Sequence, residues 1–214
     1  MLLHLKRLVT VLSLFAAGVA SSCAPSAPEL SGELAPARLP RAELPPVHRS
    51  ITFNWSYRDR DYSFRGEGVA RIAPPDSARF DFFVGSGYGG GYALLIGDRL
   101  TTPRGDMVRN LLPPVPLLWA SLGRLAVPPA ADTAARVDGD TLRVDIGLDP
   151  AWRSTFVGDS LRGLALIDGG RIRQFVTRAP AGTVRYEHTR TGRRLDIDIV
   201  RVDTVAAYES RIWR

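Results

Sequence analysis

Lysine is nearly missing from this 214-residue chain: Lys6 is the sole one, and arginine supplies the rest of the 28 basic residues. Cysteine is as scarce, with Cys23 alone. A single cysteine excludes a disulfide framework, and with three histidines no Cys/His spacing suits a metal. Neither a metal nor a cofactor is expected. Long apolar runs are missing too. The run from Leu8 to Ala20 falls short of the ~20 residues that a bilayer-spanning helix needs. Blocks of one charge are absent as well. Arginines alternate with acids, as in Arg58-Asp59-Arg60-Asp61, which describes a solvated mixed surface and speaks against a nucleic-acid partner.

Catalytic constellations are equally thin. Gly85-Ser86-Gly87-Tyr88-Gly89-Gly90 matches G-x-G-x-x-G in form, but Tyr92–Ile96 after it reads as a short strand. A dinucleotide site needs a helix there, whose N-terminus meets the pyrophosphate. Asp196 and Asp198 stand two apart on a strand and so share one face, where exposure to solvent is the simpler account. His48 and His188 belong to no nucleophile–base arrangement, and there is no G-x-S-x-G elbow. The chain reads as a non-enzyme, with no catalytic residue to nominate.

What is present begins at the N-terminus. Lys6-Arg7, the apolar run and Ser21-Ser22 form a secretory signal over residues 1–22. Cys23 at its end resembles the lipobox of bacterial lipoproteins, which implies acylation of Cys23 and a membrane anchor. The alternative is an ordinary signal peptide with an incidental cysteine. With Lys6 and Arg7 removed, 26 basic residues face 22 acidic ones, a mildly basic balance that suits anionic lipid headgroups. Residues 23–47 carry six prolines among Ala, Ser and Glu and read as a disordered, extended tether.

From His48 onward the period is two. Ile51, Phe53, Trp55 and Tyr57 alternate with polar residues, and Phe64 to Ile72 and Ala78 to Val84 repeat the pattern. Tyr92–Ile96 and Arg99–Thr102 complete five strands. Met107–Leu112 and Val115–Leu125 switch to helical spacing between prolines. Strands resume at 135–137, 142–148, 161–167, 171–177, 183–189 and 194–203, and a short segment, 205–211, has helical character. The expected fold is mainly β with an α lid. About ten antiparallel strands form a strongly curved sheet, an unclosed barrel over residues 48–214, covered by the short midchain helices.

This plan resembles the LolA/LolB superfamily of bacterial lipoprotein carriers and receptors, LolB more closely. Three stretches carry the likeness: Arg71–Leu95, with its Phe/Arg strand running into a Gly/Ser loop; Leu112–Pro128, a proline-flanked helix; and the terminal hairpin with Leu195-Asp-Ile-Asp-Ile-Val200. The resemblance implies an acyl-binding hollow lined by Phe53, Trp55, Phe64, Phe80 and Phe82, with Leu118, Trp119 and Leu122 from the lid. An alternating Phe/Trp face is also what an ordinary core looks like. On the loop where LolB exposes an apolar side chain, this chain has no leucine, and Tyr88 is the bulky membrane-probing candidate. Ala24 after the cysteine implies outer-membrane sorting. The implied protein is a monomer, lipid-anchored and facing the periplasm. It binds acyl chains or lipoprotein cargo and exchanges them with a periplasmic carrier. The alternative is an assembly lipoprotein that binds an envelope protein partner through the same curved sheet.

Overall fold

The computed structural model describes residues 26–85, 89–103 and 108–214. Its strands are β1 (Glu33–Leu34), β2 (Arg49–Arg58), β3 (Ser63–Ala73), β4 (Ser77–Val84), β5 (Gly90–Ile96) and β6 (Arg99–Thr101). Two short helices follow, α1 (Val108–Leu111) and α2 (Val115–Ser121). The second run of strands is β7 (Thr133–Asp138), β8 (Thr141–Ile146), β9 (Ala151–Val157), β10 (Ser160–Asp168), β11 (Arg171–Arg178), β12 (Thr183–His188) and β13 (Arg193–Thr204). One 3-10 turn, Ser210–Trp213, ends the chain.

All thirteen strands join one antiparallel sheet in the order β1-β7-β8-β9-β10-β11-β12-β13-β2-β3-β4-β5-β6. From β2 to β6 and from β7 to β13 each strand pairs with its sequence neighbour, β13 returns to pair with β2, and β1 pairs with β7. The two helices lie in the chain between β6 at one edge and β7 near the other, and the sheet does not close on itself. The helices pack on the concave side, α1 against β5 and α2 against β10, β11 and β12.

The alternating pattern explains the two faces. Along β2, Ile51, Phe53, Trp55 and Tyr57 are buried while Asn54, Ser56 and Arg58 are exposed. Because side chains alternate along a strand, this register fixes which residues meet the lid. The convex face carries ion pairs instead: Asp196 accepts from Arg185 at 2.8 Å and Arg194 at 2.6 Å, and Asp145 from Arg153 at 2.7 Å.

The structure corrects three expectations. The strands number thirteen among the described residues, not about ten; β1 and β9 were not anticipated. In β9 the inward position between Trp152 and Phe156 is Ser154, fully buried, and a small polar residue there hides the alternation. Its hydroxyl is satisfied by the carbonyl of Val144 at 3.3 Å. The C-terminal segment holds a single 3-10 turn placed later than 205–211.

The third correction concerns the tether. From Ser26 the chain is fastened to the domain. Ser26 bridges Arg171, the amide of Ala27 donates to the Gly170 carbonyl at 2.9 Å, and Pro28 accepts from Arg153. Glu33–Leu34 then pairs with β7, and Ala42 and Leu44 enter the core, where the amide of Leu125 donates to Ala42 at 2.9 Å. Proline content signals extended backbone. It does not signal detachment when leucines at 39 and 44 supply apolar surface to bury. The lipobox with Cys23 and the signal segment lie outside the described residues.

Candidate functional site

The concave face carries strand aromatics, which share one core cluster with the buried side chains of α2. Phe53 and Trp55 come from β2, Phe64 from β3, and Phe80 and Phe82 from β4. The rings pack against one another: Phe53 and Trp55 meet Phe82 edge-to-face, with centroids at 5.7 and 5.6 Å, and Phe80 stacks on Phe82 at 6.5 Å. Such pairs add about 0.5–1.5 kcal/mol beyond the area they bury. Room for them comes from glycines on β3. A Cβ at Gly68 would stand 2.4 Å from the Phe53 ring, and one at Gly66 would stand 3.2 Å from the Trp55 ring. The Trp55 indole N–H is satisfied by the Glu67 carbonyl at 2.9 Å.

The helix α2 supplies the cover. Pro114 and Pro116 pre-set its first turn, and no side chain caps it. Seven residues are too few for a stable isolated helix, so packing holds it in place. Leu117, Leu118, Trp119 and Ala120 are all buried, and Leu122 caps its C-terminus, half-buried. The Trp119 indole donates to the Gly97 carbonyl at 2.7 Å, and the Arg124 guanidinium lies 4.6 Å over the Trp119 ring.

All eight residues expected to line the hollow therefore converge on one cluster. Six are buried core members, and Phe64 and Leu122 pack against them half-buried. Side chains fill the space between them: Trp119 is 0 % exposed and Phe82 1 %. Tyr88 lies outside the described residues.

Polar groups sit at the margins of the hollow. The Tyr57 phenol donates to Asp59 at 2.9 Å and Tyr186 to Gln174 at 2.8 Å. Burial, joined for Tyr57 by the neighbouring Asp59, pushes both phenols up to about 12. Arg49 and Arg178 share the concave face with Ile51 and Val176, a pair that motif reading did not single out. Among the described residues neither has a carboxylate partner, and the Nε of each is buried without an acceptor.

Other grooves lie on the convex side. One of about 640 Å³ runs between Asn54, Ser56, Arg65, Glu67 and Asp198, with Phe83 at its wall 53 % exposed. Another, of about 380 Å³, lies between the strap at Pro28–Ser31 and the outer residues of β9 to β11.

No protein-family model and no curated protein matches the sequence. Solved structures match its fold. A LolA superfamily protein from Nitrosomonas europaea aligns with TM-score 0.55 at 9% identity, over 81% of this chain and 93% of that one. A putative outer membrane lipoprotein-sorting protein domain from Vibrio parahaemolyticus gives TM-score 0.48 at 7% identity, over 80% and 91%. A DUF1329 family protein from Desulfovibrio piger gives 0.48 at 10% identity, over 79% and 90%. The chain has the LolA-type fold: an unclosed antiparallel half-barrel with a small helical lid.

Proposed function

We propose that this protein is a lipid-anchored lipoprotein of the outer membrane, facing the periplasm, that takes up acyl chains in the hollow beneath α2. The observation that carries the reading is the nature of the cover. An aromatic concave face is closed by a seven-residue, uncapped helix rather than by a second sheet. Moving the helix would exchange Leu117, Leu118 and Trp119 for acyl chain against Phe53, Phe80 and Phe82. Each buried methylene contributes ~0.8 kcal/mol, so chains and lid compete on similar terms and release stays feasible. Transfer of this kind needs no covalent chemistry and no catalytic residue. Cys23 would carry the anchor, Tyr88 would probe the membrane, and the protein would act as a monomer that receives acylated cargo from a periplasmic carrier.

The test is direct. Residues 24–214 are expressed in the periplasm, purified without detergent, and extracted for lipid mass spectrometry. Stoichiometric phospholipid or acyl peptide is the expected result. A lipid-free protein that also fails to take up a fluorescent fatty acid would overturn the reading. Phe83 beside the convex groove favours a second reading, in which the sheet binds an envelope protein partner there. Loss of partner capture in Phe83→Ser with unchanged lipid content would support it.

A further inference from the structure

Arg178 lies where the lid ends, within charge range of Arg49 and Arg162, and among the described residues no acid pairs with any of the three. Arg178 is the last residue of β11 and faces inward with Val176. Its Nη1 donates to the Leu161 carbonyl at 2.8 Å, while its Nε is buried without an acceptor. Arg49 opens β2 on the same concave face, and its guanidinium makes no hydrogen bond or ion pair among the described residues; its Nε too is buried. Arg162 sits at the bulge of β10, where the pairing with β9 slips between Leu161 and Gly163. A bulge re-aims a side chain and is a built feature, not a defect. The lid's last turn passes directly above: Gly123 has φ +91°, and a Cβ there would stand 2.7 Å from Arg178 Nη1.

This arrangement is expensive as it stands. Burial first, then the charges of Arg162 and Arg49, hold the Arg178 guanidinium below its ordinary value. Elsewhere the chain pairs half-buried arginines with carboxylates, as with Arg153 on Asp145 and Arg79 on Asp81. Planar, permanently charged forks left open beside an apolar hollow match a carboxylate or a phosphate, which a guanidinium binds through two parallel N–H donors.

We propose that Arg178 and Arg49, with Arg162 beside them, form an anion site that takes the carboxylate or phosphate head of an acyl-chain ligand. This rests on the acyl-binding reading and narrows its ligand to anionic amphiphiles. Because Gly123 lies on Arg178, the head reaches its site only as the lid's C-terminal turn lifts. Head binding and chain entry are thereby one event.

Residues 24–214 contain every strand and core residue described, so titration calorimetry can use that unit. The probes are a long-chain fatty acid, the fatty alcohol of equal length, a single-chain lysophosphatidate and inorganic phosphate. The acid and the lysophosphatidate should bind about tenfold or more tighter than the alcohol. Arg178→Gln should erase most of that ratio. Arg49→Gln, at a strand end with no side-chain bond to lose, should reduce it without disturbing the fold. Equal affinity for acid and alcohol, or an unchanged ratio in both variants, overturns the anion site and leaves the acyl reading standing. Inorganic phosphate binding as tightly as lysophosphatidate overturns the acyl-linked head in favour of a free-anion site. Binding of no amphiphile, charged or neutral, overturns both readings together.

Discussion

The indole N–H of Trp119 on α2 donates to the carbonyl oxygen of Gly97 in the turn between β5 and β6, 2.7 Å away. This bond joins the lid to the edge hairpin of the sheet. It also satisfies the polar atom of a side chain that is 0 % exposed. Trp119→Phe keeps most of the apolar surface and removes the donor, leaving the Gly97 carbonyl to find water. Removing such a bond costs about 1–3 kcal/mol. The melting temperature should fall by roughly 2–12 °C for a domain of this size. Fatty-acid uptake should become faster, because the lid is held less firmly. A variant with unchanged stability and unchanged uptake rate would show that the bond does not latch the lid.

Gly68 faces Phe53 across the β2–β3 pair, and a Cβ there would come within 2.4 Å of the Phe53 ring and 2.9 Å of the Asp81 carbonyl. Gly68→Ala therefore forces the ring away from Phe82. Overpacking of this kind costs about 1–3 kcal/mol. Chemical denaturation should show the loss as a lower midpoint with an unchanged slope. Phe53→Leu in the same background should recover part of it, since a smaller side chain makes room. No recovery in the double variant would place the strain elsewhere.

Much of this was legible in the sequence, for a physical reason. The residues from Ile51 to Val84 bury one face and wet the other, and such strands write period two into the chain. The same logic set Asp196 and Asp198 outward, where Asp196 meets Arg185 and Arg194 and Asp198 meets Thr183. The lid was legible from helical spacing between prolines. β9 was not, because Ser154 occupies a core position. The strap was not, because two residues of strand and scattered leucines carry no period. The arginine trio was hidden for another reason. Arg49, Arg162 and Arg178 lie far apart in sequence, and only the curvature of the sheet gathers them.

His188 gives the fold a pH dependence. Burial first, then the charges of Arg190 and Arg193, hold its imidazole below the ordinary 6.5, against the opposing effect of a backbone hydrogen bond. The neutral form is thus favoured in the folded state, while the unfolded chain takes up the proton near 6.5. Stability from this group is fully present above pH 6.5 and is lost as pH falls through the folded value. Melting temperatures measured from pH 7.5 down to pH 5 should decline, and His188→Gln should flatten that decline. An equally steep decline in the variant would assign it to other groups.

Leu44 decides what residues 26–47 are. Its side chain is 7 % exposed, and with Ala42 it belongs to the main core. Leu44→Ala should lower stability by about 2–3 kcal/mol, the cost of a buried leucine whose cavity partly collapses. Truncation to residues 48–214 should cost more, since it also strips β1 from the β7 edge and removes the Ala42 carbonyl that receives the Leu125 amide just after the lid. A bared β7 edge offers unpaired backbone to other chains, so the truncated protein should also self-associate in sedimentation experiments. If residues 48–214 melt at the same temperature as 24–214 and stay monomeric, the segment is a leash after all. In that case the domain could range away from Cys23. With the strap docked, two residues of sequence separate Cys23 from Ser26, and an anchor on Cys23 would hold the β10–β11 turn close to the membrane.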